Sequence, residues 1–95
     1  MKLLGKKLLD DFKQKHADAR SQIESWEAEV EGAKWNTPHD LKSMYPKASL
    51  PGNKQAIFNI CGNKYRLLAL VNYQYGILLV EKIGTHKEYN NWKID

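Results

Sequence analysis

The 95-residue sequence predicts an α+β domain in which helices pack on one face of a three- to four-stranded, mainly antiparallel sheet. Apolar residues recur at helical spacing up to about Met44, and from Gln55 onward they alternate with a period of two. The Gly62-Asn63 pair between two alternating runs is a strong signal for a two-residue hairpin turn. We expect one domain, residues 1–95, with a thin core.

The first helix is predicted over residues 6–15, after a very short strand at Leu3 and Leu4. A break at residues 16–18 is expected to end it. The prediction depends on three apolar residues at helical spacing, namely Leu8, Leu9 and Phe12.

The second helix has the clearest amphipathic pattern of the chain. Asp18 is suited to its N-cap and Gly32 to its C-terminal cap. The apolar face has residues at steps of four, three and four, namely Ala19, Ile23, Trp26 and Val30. The opposite face, which we expect to be solvated, carries Glu24, Glu27 and Glu31.

A third, short helix is predicted from Pro38 to about Met44. Thr37 can cap it, Pro38 fits its first position, and Asp40 lies in the first turn, where the helix dipole favours a negative charge. Residues 46–54 contain two Pro, a Gly, a Ser and an Asn, and we predict that they form a loop.

Three antiparallel strands are expected in the second half of the chain. The middle one is apolar on both faces between Leu67 and Val71, which places it inside the sheet. Gly84 is expected to break the last strand, and Thr85 to cap a short helix through Tyr89 to about Trp92. The three strands are predicted at residues 55–61, Lys64 to about Tyr73, and Ile77 to Ile83.

The net charge of +4 is unevenly distributed along the chain. Residues 41–95 contain eight Lys/Arg against three Asp/Glu, whereas residues 1–40 contain seven against eight. A basic C-terminal part is compatible with a polyanionic partner such as nucleic acid, and also with a basic domain that has no such partner.

The remaining composition narrows the class of protein. A single Cys cannot form an internal disulfide, which fits a reducing cytoplasm. There is neither a signal-peptide pattern nor an apolar run of the ~18 residues that a membrane span needs, so no membrane association is expected. Metal-ligand spacings and glycine-rich phosphate loops are absent from the sequence, so we expect neither a metal nor a cofactor.

Arg66 is the most informative single residue. It lies in a strand that is otherwise built for burial, where a guanidinium needs a partner, and it suits bidentate contact with a phosphate. Lys64, two residues earlier, is expected on the same face. Lys54 enters the first strand, and Lys82 lies on the third strand in an unknown register. The alternative is that Arg66 pairs with Glu81 across the sheet.

His86 and Tyr89 are three residues apart in a short helix and therefore share a face. A His can transfer protons near neutral pH, and a Tyr ring can stack on an unpaired RNA base. On spacing alone, a helix cap followed by a surface His and a packed Tyr is an open alternative. We interpret His16 and His39 as structural or solvated.

Several segments together resemble the HigB family of type II toxin–antitoxin systems, within the RelE-like superfamily. The most specific are the hairpin at Phe58–Leu67 and the Gly-Thr-His-x-Glu-Tyr segment at Gly84–Tyr89. The stretches Trp35–Lys42 and Phe12–Ala19 also match the family. The chain departs from the family pattern at Asn90, where an Asp is expected.

The resemblance implies an mRNA endoribonuclease that acts on messages at the ribosome, and a cognate helix-turn-helix antitoxin (HigA-like). It implies metal-free cleavage, in which a 2′-hydroxyl attacks the adjacent phosphate and leaves a 2′,3′-cyclic phosphate. Arg66 would then bind the phosphate, His86 would transfer a proton, and Tyr89 would stack or transfer a proton. Phosphate binding would be supported by Lys54, Lys64 and Lys82.

Two other functions remain open at this point. One is a non-catalytic RNA- or ribosome-binding module that uses the same basic sheet face, with Tyr65 and Tyr73 as stacking platforms. The other is a domain of toxin fold that only binds its partner protein.

Overall fold

The computed structural model describes residues 1–52 and 54–92, and it confirms the α+β class. A 3-10 turn at Ala17–Ala19 joins the first two helices. In chain order the elements are β1 (Lys2–Leu4), α1 (Lys6–Lys15), α2 (Arg20–Gly32), α3 (Pro38–Met44), β2 (Ser49–Gly52), β3 (Gln55–Ile60), β4 (Tyr65–Asn72), β5 (Ile77–Thr85) and α4 (His86–Tyr89). No helix of the described residues is long and apolar enough to cross a bilayer.

These strands form one sheet in the order β1-β5-β4-β3-β2, in which the β1–β5 pair is parallel and the other three pairs are antiparallel. β4 is the central strand, as its two apolar faces predicted. The described residues form five strands, rather than three or four, because β2 forms inside residues 46–54, where we predicted a loop. β2 lies at the edge of the sheet, where a Pro is tolerated, and Ser49 pairs with Ile57.

The helical layer covers one face of the sheet. The predicted apolar face of α2 is confirmed, because all four of its residues are buried. The expectation of a solvated Glu27 is wrong: Glu27 is buried between α1 and α2, where its carboxylate accepts a 3.0 Å hydrogen bond from the Lys13 ammonium. Burial alone would lower the pKa of Lys13, but the hydrogen bonds and charges of Glu27 and Asp10 outweigh it and raise that pKa.

The predicted caps are right for α3 and α4, whereas both caps predicted for α2 are wrong: its C-cap is Ala33 and not Gly32. Thr37 and Asp40 form a reciprocal capping box at α3, and Thr85 and Glu88 form another at α4. Asp18 does not cap α2, which begins after Ala19 without a side-chain cap. The Asp18 carboxylate instead accepts hydrogen bonds from Lys64, in the turn before β4, and from Tyr65, the first residue of β4.

The β3–β4 turn and the end of β5 differ from the predictions. The β3–β4 connection has four residues, 61–64, rather than two, and Cys61 and Gly62 both have positive φ. β5 is not broken at Gly84 but continues to Thr85. A β-bulge at Glu81 shifts the register of β5 against β4, so that the partners beyond it are Leu68↔Lys82, Leu67↔Ile83 and Arg66↔Gly84.

Candidate active site

The candidate site lies on the sheet face away from the core, where β4 begins and β5 ends. Along β4, Tyr65 and Leu67 belong to the core beneath the helices, so Arg66 projects from the opposite face. Its direct neighbours across the strands are Asn59 on β3 and Gly84 on β5. α4 and the turn after it fold back over this same face.

The Arg66 guanidinium is half-buried and lies 5.5 Å from the centre of the Tyr89 ring. It donates long hydrogen bonds to the Tyr65 carbonyl oxygen (3.3 Å) and to Asn63 Oδ1 (3.4 Å). Within residues 1–52 and 54–92 it forms no ion pair, so the alternative pairing with Glu81 is wrong. A guanidinium held in this way, without a carboxylate partner in the described chain, is suited to an incoming anion.

A second cation–aromatic pair lies beside the first. The Lys82 ammonium is 5.9 Å from the Trp92 ring, and Trp92 meets Tyr89 edge-to-face with ring centres 5.6 Å apart. The bulge in β5 is what brings Lys82 onto the face of Arg66. We call Arg66, Lys82, Tyr89 and Trp92 the cation–aromatic cluster. In such pairs the cation is attracted to the face of the ring, which favours a fixed arrangement of the charges and the rings.

His86 stands at the edge of the cluster. Its exposed ring is 5.7 Å from that of Tyr89, and its backbone N–H donates to the Lys64 carbonyl oxygen at 3.1 Å. Hydrogen bonds from Thr85 lower the pKa of Glu88, so this carboxylate remains ionised and serves as the helix cap. The structure therefore brings together Arg66, His86 and Tyr89, the three residues to which catalytic roles were assigned.

Two of the three predicted lysines lie elsewhere. The expectation that Lys64 shares a face with Arg66 is wrong, because Lys64 lies in the turn before β4 and its ammonium is 2.5 Å from Asp18 in the helical layer. Lys54 lies at the far end of β3, where its carbonyl oxygen accepts from the Val71 N–H. The strand rise places Val71 about 17 Å from Arg66.

The two tyrosines expected to stack on RNA bases, Tyr65 and Tyr73, do not lie at this site either. Tyr65 is buried beneath the helices, and its hydroxyl donates to Asp18 at 2.8 Å. Tyr73 is half-buried against the core, and this burial raises its pKa. The aromatic rings that do flank the basic face are Tyr89 and Trp92.

Sequence reasoning missed Asn63 and Trp92 at this site. Asn63 was interpreted only as a turn residue, yet its side chain accepts from Arg66. Trp92 is predicted only as the approximate end of the last helix. Its spacing of three from Tyr89 was the available signal, because residues three apart in a helical turn share a face.

Behind the site, Asp18 joins the helical layer to the start of β4. The hydrogen bond from Lys64, followed by that from Tyr65, lowers the pKa of Asp18, and the same ion pair raises the pKa of Lys64. His16 stacks on Phe12 with ring centres 4.3 Å apart, which confirms its structural interpretation.

Replacing Asp18 with Asn is expected to lower the thermal midpoint at pH 7, because the ionised carboxylate is stabilised in the folded state. Because the pKa of Asp18 is lower in the folded state than in the unfolded state, the ionised carboxylate stabilises the fold fully above the ordinary Asp pKa of ~4. This stabilisation is lost as the pH falls through the folded-state pKa. The difference from wild type should therefore close in scans taken progressively below pH 4.

The matched control for this variant is Asp11→Asn, which removes an exposed pair with Lys7 and should have little effect. A difference between wild type and Asp18→Asn that persists unchanged at pH 2–3 would contradict the assignment.

Comparison with known proteins identifies the family of the chain. The model of the HigB toxin family, the RelE-like toxic component of a toxin–antitoxin system, matches residues 19–92. Similar proteins include the mRNA interferase toxin HigB of Escherichia coli K12 and the mRNA interferases HigB of Escherichia coli O157:H7 and Shigella flexneri. Each is 27% identical over 94 residues, which cover 95% of this chain and 88% of the relative. The family match spans the cation–aromatic cluster and His86, and this chain belongs to the HigB toxin family.

Proposed function

We propose that this chain is an mRNA endoribonuclease that acts in the cytoplasm as the toxic component of a toxin–antitoxin pair. One observation carries the proposal: Arg66 is held beside Tyr89, without a carboxylate partner in the described residues, at the open face of the sheet. The names of its relatives, which are mRNA interferases, support RNA as the substrate.

In the proposed reaction the 2′-hydroxyl oxygen attacks the adjacent phosphorus, and the bond from phosphorus to the 5′-oxygen breaks. The products are a 2′,3′-cyclic phosphate and a 5′-hydroxyl. Negative charge grows on the two non-bridging oxygens as the new bond forms, and the planar fork of Arg66 can donate to both. The reaction also needs a base for the 2′-hydroxyl proton and an acid for the 5′-oxygen.

His86 is the proposed proton-transfer residue, because its exposed ring lies beside Tyr89 and so on the same side of the sheet as Arg66. Tyr89 is proposed to stack on a base next to the cleaved bond, with its hydroxyl as the second candidate for proton transfer. Lys82 is proposed to bind a neighbouring phosphate. Lys54 and Lys64 then contribute long-range positive charge rather than direct contacts.

The proposed partners are a helix-turn-helix antitoxin and the translating ribosome. A partner antitoxin follows from the family, which is the toxic component of such systems. The cluster is an open face rather than an enclosed pocket, so it offers few contacts to a free RNA. A ribosome that presents the message in an extended form would supply the missing orientation.

An RNA with a single 2′-deoxynucleotide on the 5′ side of the cleaved bond tests the mechanism. The protein should bind it but leave that bond intact, because the attacking hydroxyl is gone. The measurement is product formation on free and ribosome-bound message, with a 2′-deoxynucleotide one position further along as the control.

Cleavage of the deoxy-substituted bond would contradict attack by the 2′-hydroxyl. Binding of both RNAs without any product would favour the non-catalytic module, whose only readout is salt-sensitive binding.

A further inference from the structure

We infer that Gly84 is a positioning residue: the missing side chain lets α4 lie close against the sheet and so sets Tyr89 at its place beside Arg66. The inference rests on the proposed function of the cation–aromatic cluster and deepens it. It concerns a glycine that touches neither substrate nor product and acts only through the residues packed upon it.

The place of Gly84 in the fold is unusual for a glycine. It lies within β5, it is buried, and it pairs directly with Arg66 on β4. Its φ lies outside the left-handed region, so the backbone does not require a glycine there. A glycine inside a strand weakens the strand, and it often marks a place where another part of the structure approaches closely.

That close approach is made by α4 and the turn after it. A Cβ atom at Gly84 would lie 3.1 Å from Trp92 Cζ2, 3.1 Å from Glu88 Oε1 and 3.2 Å from Glu88 Cβ. Carbon atoms in good contact are about 3.5–4.0 Å apart. Even an alanine would therefore push α4 away from the sheet by a few tenths of an ångström.

The neighbours of Gly84 are not free to give way individually. The Glu88 carboxylate accepts the Thr85 N–H that begins α4, so moving it opens the capping box. Trp92 is packed edge-to-face on Tyr89. A Cβ would thus shift the helix as a unit and carry Tyr89 with it.

Arg66 is fixed on the central strand and would not follow this shift. The size of the side chain at position 84 determines how closely α4 packs on the sheet. It therefore also determines the distance between the Arg66 guanidinium and the Tyr89 ring. Displacements of this size matter in catalysis because the reacting groups must be aligned closely before the bond forms.

The test uses the full chain with Gly84→Ala. We expect kcat to fall by up to about tenfold while the KM for RNA changes less, since the cations remain and only their alignment with Tyr89 is altered. Gly32→Ala is the matched control: Gly32 ends α2, nothing lies within 4 Å of the position of its Cβ, and it should cleave like wild type. Wild-type kcat in Gly84→Ala would overturn the inference.

A second measurement does not depend on cleavage. In NMR spectra without RNA, the Arg66 Nε–H should be shifted upfield by the Tyr89 ring in wild type and in the control Gly32→Ala, but less so in Gly84→Ala. An unchanged Arg66 shift in Gly84→Ala would overturn the inference even if kcat falls.

Wild type itself provides a further check in case Gly84→Ala does not fold. The Gly84 Hα protons should show nuclear Overhauser effects to the Trp92 ring, and their absence would overturn the inference. If wild type cleaves no RNA, the proposed function fails, whereas these NMR data still decide whether Gly84 places Tyr89.

Discussion

Replacing Arg66 with Ala is expected to lower the rate of RNA cleavage by on the order of a hundredfold or more. Removing one preorganised donor to a developing oxyanion costs ~2–4 kcal/mol of transition-state stabilisation. The effect on folding should be small, because Arg66 is half-buried and its two hydrogen bonds within the protein are long, at 3.3 and 3.4 Å. The measurement is single-turnover cleavage, with thermal midpoints to show that the variant folds.

The chain supplies a closely matched control, because its only other arginine is Arg20. Arg20 is exposed on α2 and pairs with Glu24, so Arg20→Ala makes the same chemical change on the helical layer. Arg66→Lys should have an intermediate rate, since it keeps the charge but loses the planar fork. Equal rates for Arg66→Ala and Arg20→Ala would remove Arg66 from the reaction.

His86→Ala is expected to reduce cleavage by on the order of 10²–10⁴-fold, the usual contribution of a proton-transfer residue. RNA binding should be almost unchanged, because Arg66 and Lys82 carry the positive charge of the cluster.

The control for His86→Ala is His39→Ala, which removes another exposed histidine at the start of α3. Growth arrest on induction should be relieved by His86→Ala and not by His39→Ala. If His86→Ala retains the cleavage rate of wild type, proton transfer belongs to another residue, with the Tyr89 hydroxyl as the first candidate.

The fold was most predictable where structure is determined locally. α1 and α3 lie where spacing and capping residues placed them, because helix periodicity and caps depend on residues within a turn of each other. β4 is central for the same kind of reason, since two apolar faces require cover on both sides.

The errors share a physical cause, which is contact between residues far apart in sequence. Lys64 hydrogen-bonds to Asp18, 46 residues away, and Lys13 to Glu27, 14 residues away. Neither pair can be recognised from the spacing of residues along the sequence. β2 is a strand because it pairs with β3 at the edge of the sheet, and its own sequence has no strand pattern. The bulge at Glu81, which decides the face of Lys82, likewise depends on how β5 pairs with β4.

In the candidate site, too, the locally determined features were predictable and those that depend on distant contacts were not. Arg66 was identified from sequence because an arginine in a buried strand needs a partner, and Tyr89 followed from its spacing to His86. That Tyr89 lies beside Arg66 depends on α4 folding back onto the sheet, which the sequence did not show. Gly84 was predicted to end a strand, and in the structure it is the place where that helix packs.

Primer extension on cellular mRNA after brief induction tests the central claim most directly. New 5′ ends should appear within messages soon after wild-type expression begins, and they should be absent after induction of Arg66→Ala at the same protein level. Growth arrest by the wild-type chain with messages that remain intact would contradict RNA cleavage at the cation–aromatic cluster.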